Sequence, residues 1–519
     1  MKNVEDVYPL SPLQESLLFS VLSAPGSTIG FEQSSWMIEA PIDASAFRRT
    51  WERTLERHPI LRTAFFVDAG KKPLQVVRQK VELPFDLLDW RHLEPEEQQR
   101  RLDEYLENDR RRGFDPARAP LLRVGLIRLA EARYVLVWSN QHLLLDGWCA
   151  PLILREVLEV YGRFVAGRQD DLPRPRPFRE YIAWLQKQHL EEAERYWRST
   201  LAGFTRPTAL RIGSSGGDRE PGARTYPNHE IRLPAGEAEG LRRFCREHEL
   251  TLNTFVQSAW AVLLARYSGT DDVVFGSVVS GRPADLPGAE AMIGMFINNL
   301  PVRVRVERRA RLLPWLQSVQ ASLAEMRRWE HTPLSQVQEW SEMPWGRRLF
   351  ETLVVFQNYA SGESPDASLA SLGIGPQRYR FETSYPLALE VAPRSGLGLR
   401  LYYDAEAFPA LAAQRLLAHF ATILHGMAAA PSAAVEEIPW LTPPELHAVL
   451  REWAGEPGAV AGFPGSSVAL LGPDLQPVPA GLTAELWVAG EAGWVSSGWR
   501  ARFQESGKVE LRGSVDSPA

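Results

Sequence analysis

The stretch WSNQHLLLDGWC, Trp138 to Cys149, places a histidine, His142, and an aspartate, Asp146, four residues apart among leucines, with Gly147 next. Imidazole is the side chain whose unperturbed pKa lies nearest neutrality, so His142 is the natural proton acceptor for a nucleophile near neutral pH. At that spacing the aspartate has two possible jobs. It can orient the imidazole directly, or it can be buried and hold the loop through a buried arginine. Gly147 lets a backbone or a substrate approach closely. HxxxD is a short pattern, and a histidine satisfied within its own loop is the competing reading.

The flanking elements put this loop at the end of a strand. RYVLVWSN (Arg133 to Asn140) is rich in β-branched and aromatic residues, which fits a strand. A helix follows from about Ala150 to Phe164, with Leu152, Leu154, Leu158 and Tyr161 as its apolar stripe. Strand-to-helix loops are common places for catalytic groups. Further out, Asp43 is an N-cap for a helix carrying Phe47, Trp51 and Leu55. The segment RRLDEYLENDRRRGFD interleaves acids and bases and predicts a solvated helix face. The proline-rich LPRPRPFREY (Leu172 to Tyr181) is the strongest internal break. Beyond it strands such as DVVFGSVVSG and LPVRVRV alternate with helices such as TFVQSAWAVLLARYSG, up to a helix from about Ala410 to Met427. Both halves mix strands and helices, so the fold class is α/β.

The chain has 519 residues, beyond the size at which one core stops growing, so two lobes are expected. Charged residues make up 24% and the net charge is -6, which favours neither a nucleic-acid nor a membrane partner. The two cysteines, Cys149 and Cys245, show no metal-ligand spacing, so no metal is expected, and they suit a reducing compartment. The N-terminus MKNVEDVYPLSPLQ has no signal-type apolar core, and a cytoplasmic protein is expected.

Several stretches, in order, carry a resemblance. They are SPLQESLLF (Ser11 to Phe19), RHPILRTAF (Arg57 to Phe65), QHLLLDG (Gln141 to Gly147) and FREYIAWLQ (Phe178 to Gln186). SGRPADLPGAEAMIGMFINNLPVRV (Ser280 to Val304), HTPLSQVQ and FETLVVFQNY complete the series. Together they resemble the condensation domain of nonribosomal peptide synthetases, over about the first 450 residues. QHLLLDG matches that family's HHxxxDG motif, with Gln141 where the family has its first histidine.

The resemblance implies two chloramphenicol-acetyltransferase-like lobes set in a V, with an active-site tunnel between them. It implies amide bond formation between a carrier-protein-bound peptidyl or acyl thioester donor and a carrier-protein-bound aminoacyl acceptor. No cofactor is bound by the domain itself; the phosphopantetheine arms of the partner carrier proteins tether the substrates. Those carrier proteins and neighbouring synthetase modules are the expected partners, and the domain is expected to be a monomer. His142 corresponds to the chemical histidine, with the Gly147 N–H near the developing oxyanion. Gln141 is a structural position. Asp146 is structural and pairs with Arg282 of the second lobe. Trp148, Asn358 and Ser280 are candidates for lining the tunnel.

The expected division is residues 1–175 and 176–432 for the lobes, 433–458 for a linker and 459–519 for a small β-rich appendage. The appendage resembles a truncated adenylation-domain fragment. It reads either as a remnant or as a platform that docks a carrier protein. A catalytically altered or silent domain that binds carrier protein and modifies or passes on the tethered chain is the alternative from another class, motivated by Gln141 and by the truncated tail. A free-standing acyltransferase using soluble CoA thioesters is a weaker one, disfavoured by the linker.

Overall fold

The computed structural model describes residues 3–24, 26–67, 72–210, 212, 226–357, 378–380, 385–393, 396–447, 468–471, 477–479, 482–490, 493–503 and 509–514. The first half is built on a five-stranded sheet. Its order is Arg378–Arg380, Phe31–Ile38, Arg133–Gln141, Leu122–Ala130 and Phe85–Asp89. Arg133–Gln141 is a central strand, buried on both faces, which is why nearly every residue from Tyr134 to Asn140 is apolar or small. One face, through Trp36, Trp138 and Leu136, packs on the helices Ala44–Arg57 and Cys149–Val165. The other, through Val135, Val137 and Ile127, is covered by the helix Pro95–Arg112. That helix is charged along most of its length, yet it is not solvated all round. Leu102 is buried, and Asp109 reaches the sheet, accepting from Arg123 Nε at 2.6 Å and Gln33 Nε2 at 2.9 Å.

The second half is built on a six-stranded sheet, ordered Asn298–Arg305, Asp272–Val279, Thr352–Phe356, Leu387–Ala392, Leu397–Tyr403 and Asn228–Leu233. The helix Leu252–Ser268 is almost wholly buried on every side and mostly apolar, as a helix enclosed by its own lobe must be. Thr251 caps its start by accepting from Thr254 N, and Gly269, at φ +73°, ends it. The helix Ala410–Ala429 lies against it. Among the described residues, no helix is long and apolar enough to cross a membrane.

Chain order and core order do not coincide. Phe178, Tyr181 and Ile182, and the segment containing Leu286, Met292, Met295 and Phe296, pack into the first-half core. The short strand Arg378–Arg380 joins the first-half sheet beside Phe31–Ile38. At the C-terminal end, four antiparallel strands, Val468–Leu471, Ala484–Gly490, Gly493–Phe503 and Val509–Ser514, form a separate sheet. Its Leu470, Leu486 and Phe503 are continuous with the second-half core, so it leans on that lobe.

The crossing segment is fixed by glycines. Gly281 has φ +61°, and a Cβ there meets the Phe296 carbonyl oxygen at 1.9 Å. At Gly294 a Cβ meets the Phe178 ring at 2.1 Å. Gly281→Ala therefore combines left-handed strain with a backbone clash. It is expected to lower stability by about 2–4 kcal/mol, read as a fall in the urea midpoint.

Candidate active site

Alternation along Arg133–Gln141 sends Trp138 and Asn140 to the same face, and His142 continues that row just past the strand's end. On the neighbouring strand Glu32 pairs directly with Asn140 in the register. Glu32, Asn140 and His142 thus meet where the sheet runs out above the first-half core. Asn140 Nδ2 donates to Glu32 Oε2 at 2.9 Å. Glu32 Oε1 stands 3.3 Å from His142 Nδ1, with the two side chains 17% and 20% exposed, so solvent reaches the ring.

The tautomer of His142 follows from its partners. Nδ1 lies 2.7 Å from the Leu145 carbonyl oxygen. A carbonyl only accepts, so Nδ1 carries the proton and Nε2 holds the lone pair when the ring is neutral. The backbone is fixed as well, His142 N donating to Gly30 O at 2.6 Å. Burial disfavours the imidazolium, but the Glu32 carboxylate, aided by the Leu145 carbonyl and by Asp146, outweighs it. The ring's pKa is raised above the ordinary histidine value.

Asp146 does not touch His142 Nδ1; it turns toward the second lobe. Its Oδ1 and Oδ2 lie 3.2 and 3.4 Å from Arg282 Nη2, with side-chain exposures of 0% and 6%. It also accepts from Trp148 N and Phe296 N, both at 3.1 Å, and from the Cys149 thiol. Arg282 in turn donates from Nη1 to Met292 O at 2.9 Å and to Ala289 O, and lies over the Phe296 ring at 4.1 Å. Burial beside Asp146 pushes the Cys149 thiol up, which keeps it neutral.

The remaining predicted residues sort clearly. Gln141 faces away from His142. Its Nε2 donates to Ile29 O at 3.3 Å, and its Oε1 leaves no room for a side chain at Gly30, where a Cβ meets it at 2.2 Å. Gly147 is half-buried, and its N–H makes no hydrogen bond among the described residues. Trp148 Nε1 donates to Glu290 O at 3.0 Å, and its ring lies under Arg282, so it packs at the junction. Ser280 is exposed, beside Glu330 Oε2 at 3.5 Å. Asn358 lies outside the described residues. The sequence reading missed Glu32, although an acid stood at the end of a row, Glu32–Ser34–Trp36–Ile38, whose other members include core residues. It also missed Gln14, whose Nε2 donates to Leu143 O at 2.8 Å and ties the first helix to the loop.

A two-lobed α/β domain with a histidine beside a buried interlobe ion pair defines the class. The condensation-domain family matches residues 4–450, and the chain belongs to it. A linear gramicidin synthase of Brevibacillus parabrevis is 44% identical over 451 residues, 87% of this chain and 9% of that protein. Bacitracin synthase 3 of Bacillus licheniformis is 32% identical, over 87% of this chain and 7% of its own length. The chain therefore spans less than a tenth of these two relatives. Among solved structures, the first condensation domain of the calcium-dependent antibiotic synthetase, in complex with a substrate analogue, is similar. Its TM-score is 0.69 at 20% identity, covering 85% of this chain and all of that one. The four-domain nonribosomal peptide synthetase holo-AB3403 gives a TM-score of 0.71 at 19% identity, over 88% of this chain and 35% of that one.

The ion pair has a measurable consequence. Removing one partner of a buried pair leaves an uncompensated charge, so Arg282→Met is expected to cost about 3–5 kcal/mol. The double variant Asp146→Leu/Arg282→Met is expected to lose less than the sum of the single changes. Urea denaturation of all four proteins in the cycle checks both expectations.

Proposed function

We propose that this condensation domain forms an amide between two carrier-bound substrates, with His142 as the proton acceptor. The observation that carries the reading is the His142 ring: Nδ1 is committed to Leu145 O, and Nε2 is left as the basic nitrogen of a partly exposed side chain. An α-amine has a pKa of about 7.7–8.0, so it must shed a proton before or during attack. Its nitrogen bonds to the thioester carbonyl carbon and the carbon–sulfur bond breaks. The amine's proton passes to Nε2 and then to the leaving thiolate. The Gly147 N–H, without a partner among the described residues, is assigned as the donor to the oxyanion.

In this reading Asp146 and Arg282 hold the loop and take no part in proton transfer. Trp148, packed at the junction, and Ser280, exposed on the second half, are assigned to the walls of the substrate passage. The substrates arrive on phosphopantetheine arms of carrier proteins, supplied by neighbouring modules in the cytoplasm, to a monomeric domain. Residues 1–175 are assigned as the first lobe, whose core Phe178–Ile182 and Leu286–Phe296 also enter, the rest of 176–432 as the second, 433–458 as the linker and 459–519 as an adenylation-domain-like appendage. A silent carrier-binding domain rests on Gln141 and on the truncated adenylation-like tail. The Gln141 amide points away from the ring and is held at Ile29, so its replacement of a histidine takes nothing from residue 142.

His142→Ala is expected to slow amide formation between loaded donor and acceptor carriers by about 10²–10⁴-fold. Carrier binding should be unchanged. Intact-protein mass spectrometry of the acceptor carrier reads the product, and undiminished product overturns the base assignment.

A further inference from the structure

Glu32 is an acid on a strand that otherwise builds the core. Its neighbours on the same face, Trp36 and Ile38, are buried. A carboxylate at such a place needs a partner or a role. Among its contacts are two that aim it. Asn140, directly across the register, holds Oε2 at 2.9 Å, and this leaves Oε1 beside His142 Nδ1 at 3.3 Å. The Nδ1 proton itself is given to Leu145 O at 2.7 Å, so the carboxylate stands next to that hydrogen bond.

We propose that Glu32 is a positioning residue for His142: held by Asn140, its carboxylate fixes the ring and stabilises the imidazolium that forms when Nε2 takes the amine's proton. The proposal rests on the base assignment made above for His142. The chemistry asks for such a group. When Nε2 accepts a proton, a positive charge appears in a ring that is four-fifths buried, and an opposite charge at this distance offsets its desolvation. No bond is made or broken at Glu32; it stays ionised throughout.

Of the charged groups near the ring, Glu32 acts on it most strongly. Asp146, on the same loop, is already neutralised by Arg282 of the second lobe at 3.2 Å. The Cys149 thiol is neutral. Glu32 contributes most to raising the His142 pKa against the opposing effect of burial, with the Leu145 carbonyl and Asp146 adding to it.

The sign of the effect can be tested. A base acts when neutral, so the acid limb of the rate profile follows the His142 pKa, and activity falls as pH drops through it. Glu32→Gln keeps the shape and removes the charge. It should move the His142 titration midpoint down by about one unit or more. The acid limb of single-turnover amide formation should move down with it, and affinity for loaded carrier proteins should not change. Imidazole NMR of the whole chain, labelled at histidine and assigned with His142→Ala, reads the midpoint. Glu32→Asp, which retains the charge at a shorter reach, should lie between the two. A midpoint that does not move in folded Glu32→Gln overturns this proposal and leaves the base assignment standing. A midpoint that falls while His142→Ala remains fully active overturns the base assignment, and the catalytic part of this proposal with it.

Discussion

The buried pair between Asp146 and Arg282 is the constraint on which the site geometry depends. A carboxylate wholly removed from water is tolerable only when its lone pairs are filled. Here they are filled by a guanidinium, two backbone N–H groups and a thiol, drawn from both lobes. A shift of either lobe by about an ångström loses several charge-assisted bonds at once. The pair therefore sets the loop against the second lobe within narrow limits. The constraint then passes along the chain. Asp146 fixes its neighbour Leu145, the Leu145 carbonyl fixes Nδ1 of His142, and Nε2 is aimed as a result.

The same logic explains why the residues that mark this family are scattered along the sequence yet meet in space. Ser11 Oγ donates to Met295 O at 3.1 Å and Gln14 donates to Leu143 O, so the first helix grips both sides of the junction. Phe178 fills the space that Gly294 leaves open, and Tyr181 packs on Phe296 with ring centroids 4.4 Å apart. Asn298 Nδ2 donates to Glu330 O at 3.0 Å and Thr332 O at 2.7 Å, closing the far side. Ser11, Phe178 and Tyr181 each supply one or two contacts to the segment that crosses between the halves, and Gln14 supplies one to the His142 loop. Binding energy at that interface is distributed, but position is set by the few buried polar bonds, because those are directional and apolar packing is not.

Local pattern made much of this legible from sequence. Periodicity located Arg133–Gln141 and Cys149–Val165 to within a residue or two, and so placed His142 in the loop between them. Two things were not legible, for the same physical reason. The pairing of Glu32 with His142 depends on the register of Phe31–Ile38 against Arg133–Gln141, and register is a property of two distant segments. The crossing of Leu286 to Phe296 into the first-half core is likewise non-local. The helix Pro95–Arg112 adds a third case. Its charge pattern predicts a solvated face, which it has, but gives no sign that Leu102 and Asp109 turn the other face to the sheet. A long charged helix can carry a narrow buried stripe without changing its composition much.

Gln141 illustrates how a site can vary next to its reacting group without losing it. Successive residues at a strand's end point to opposite faces, so 141 and 142 look into different surroundings. Gln141 is buried, and its Oε1 has no partner among the described residues. An orphaned acceptor of this kind costs about 1–3 kcal/mol, a penalty of folding with no direct bearing on proton transfer. The route from 141 to 142 runs through Gly30, whose open Cα gives the Gln141 side chain room and whose carbonyl accepts the His142 N–H. A side chain larger than Gln at 141 would press on Gly30 and so displace the backbone of His142, whereas a change of chemistry at constant size would not. Shape at 141 and basicity at 142 are therefore separate requirements, and only the second bears on the proposed proton transfer.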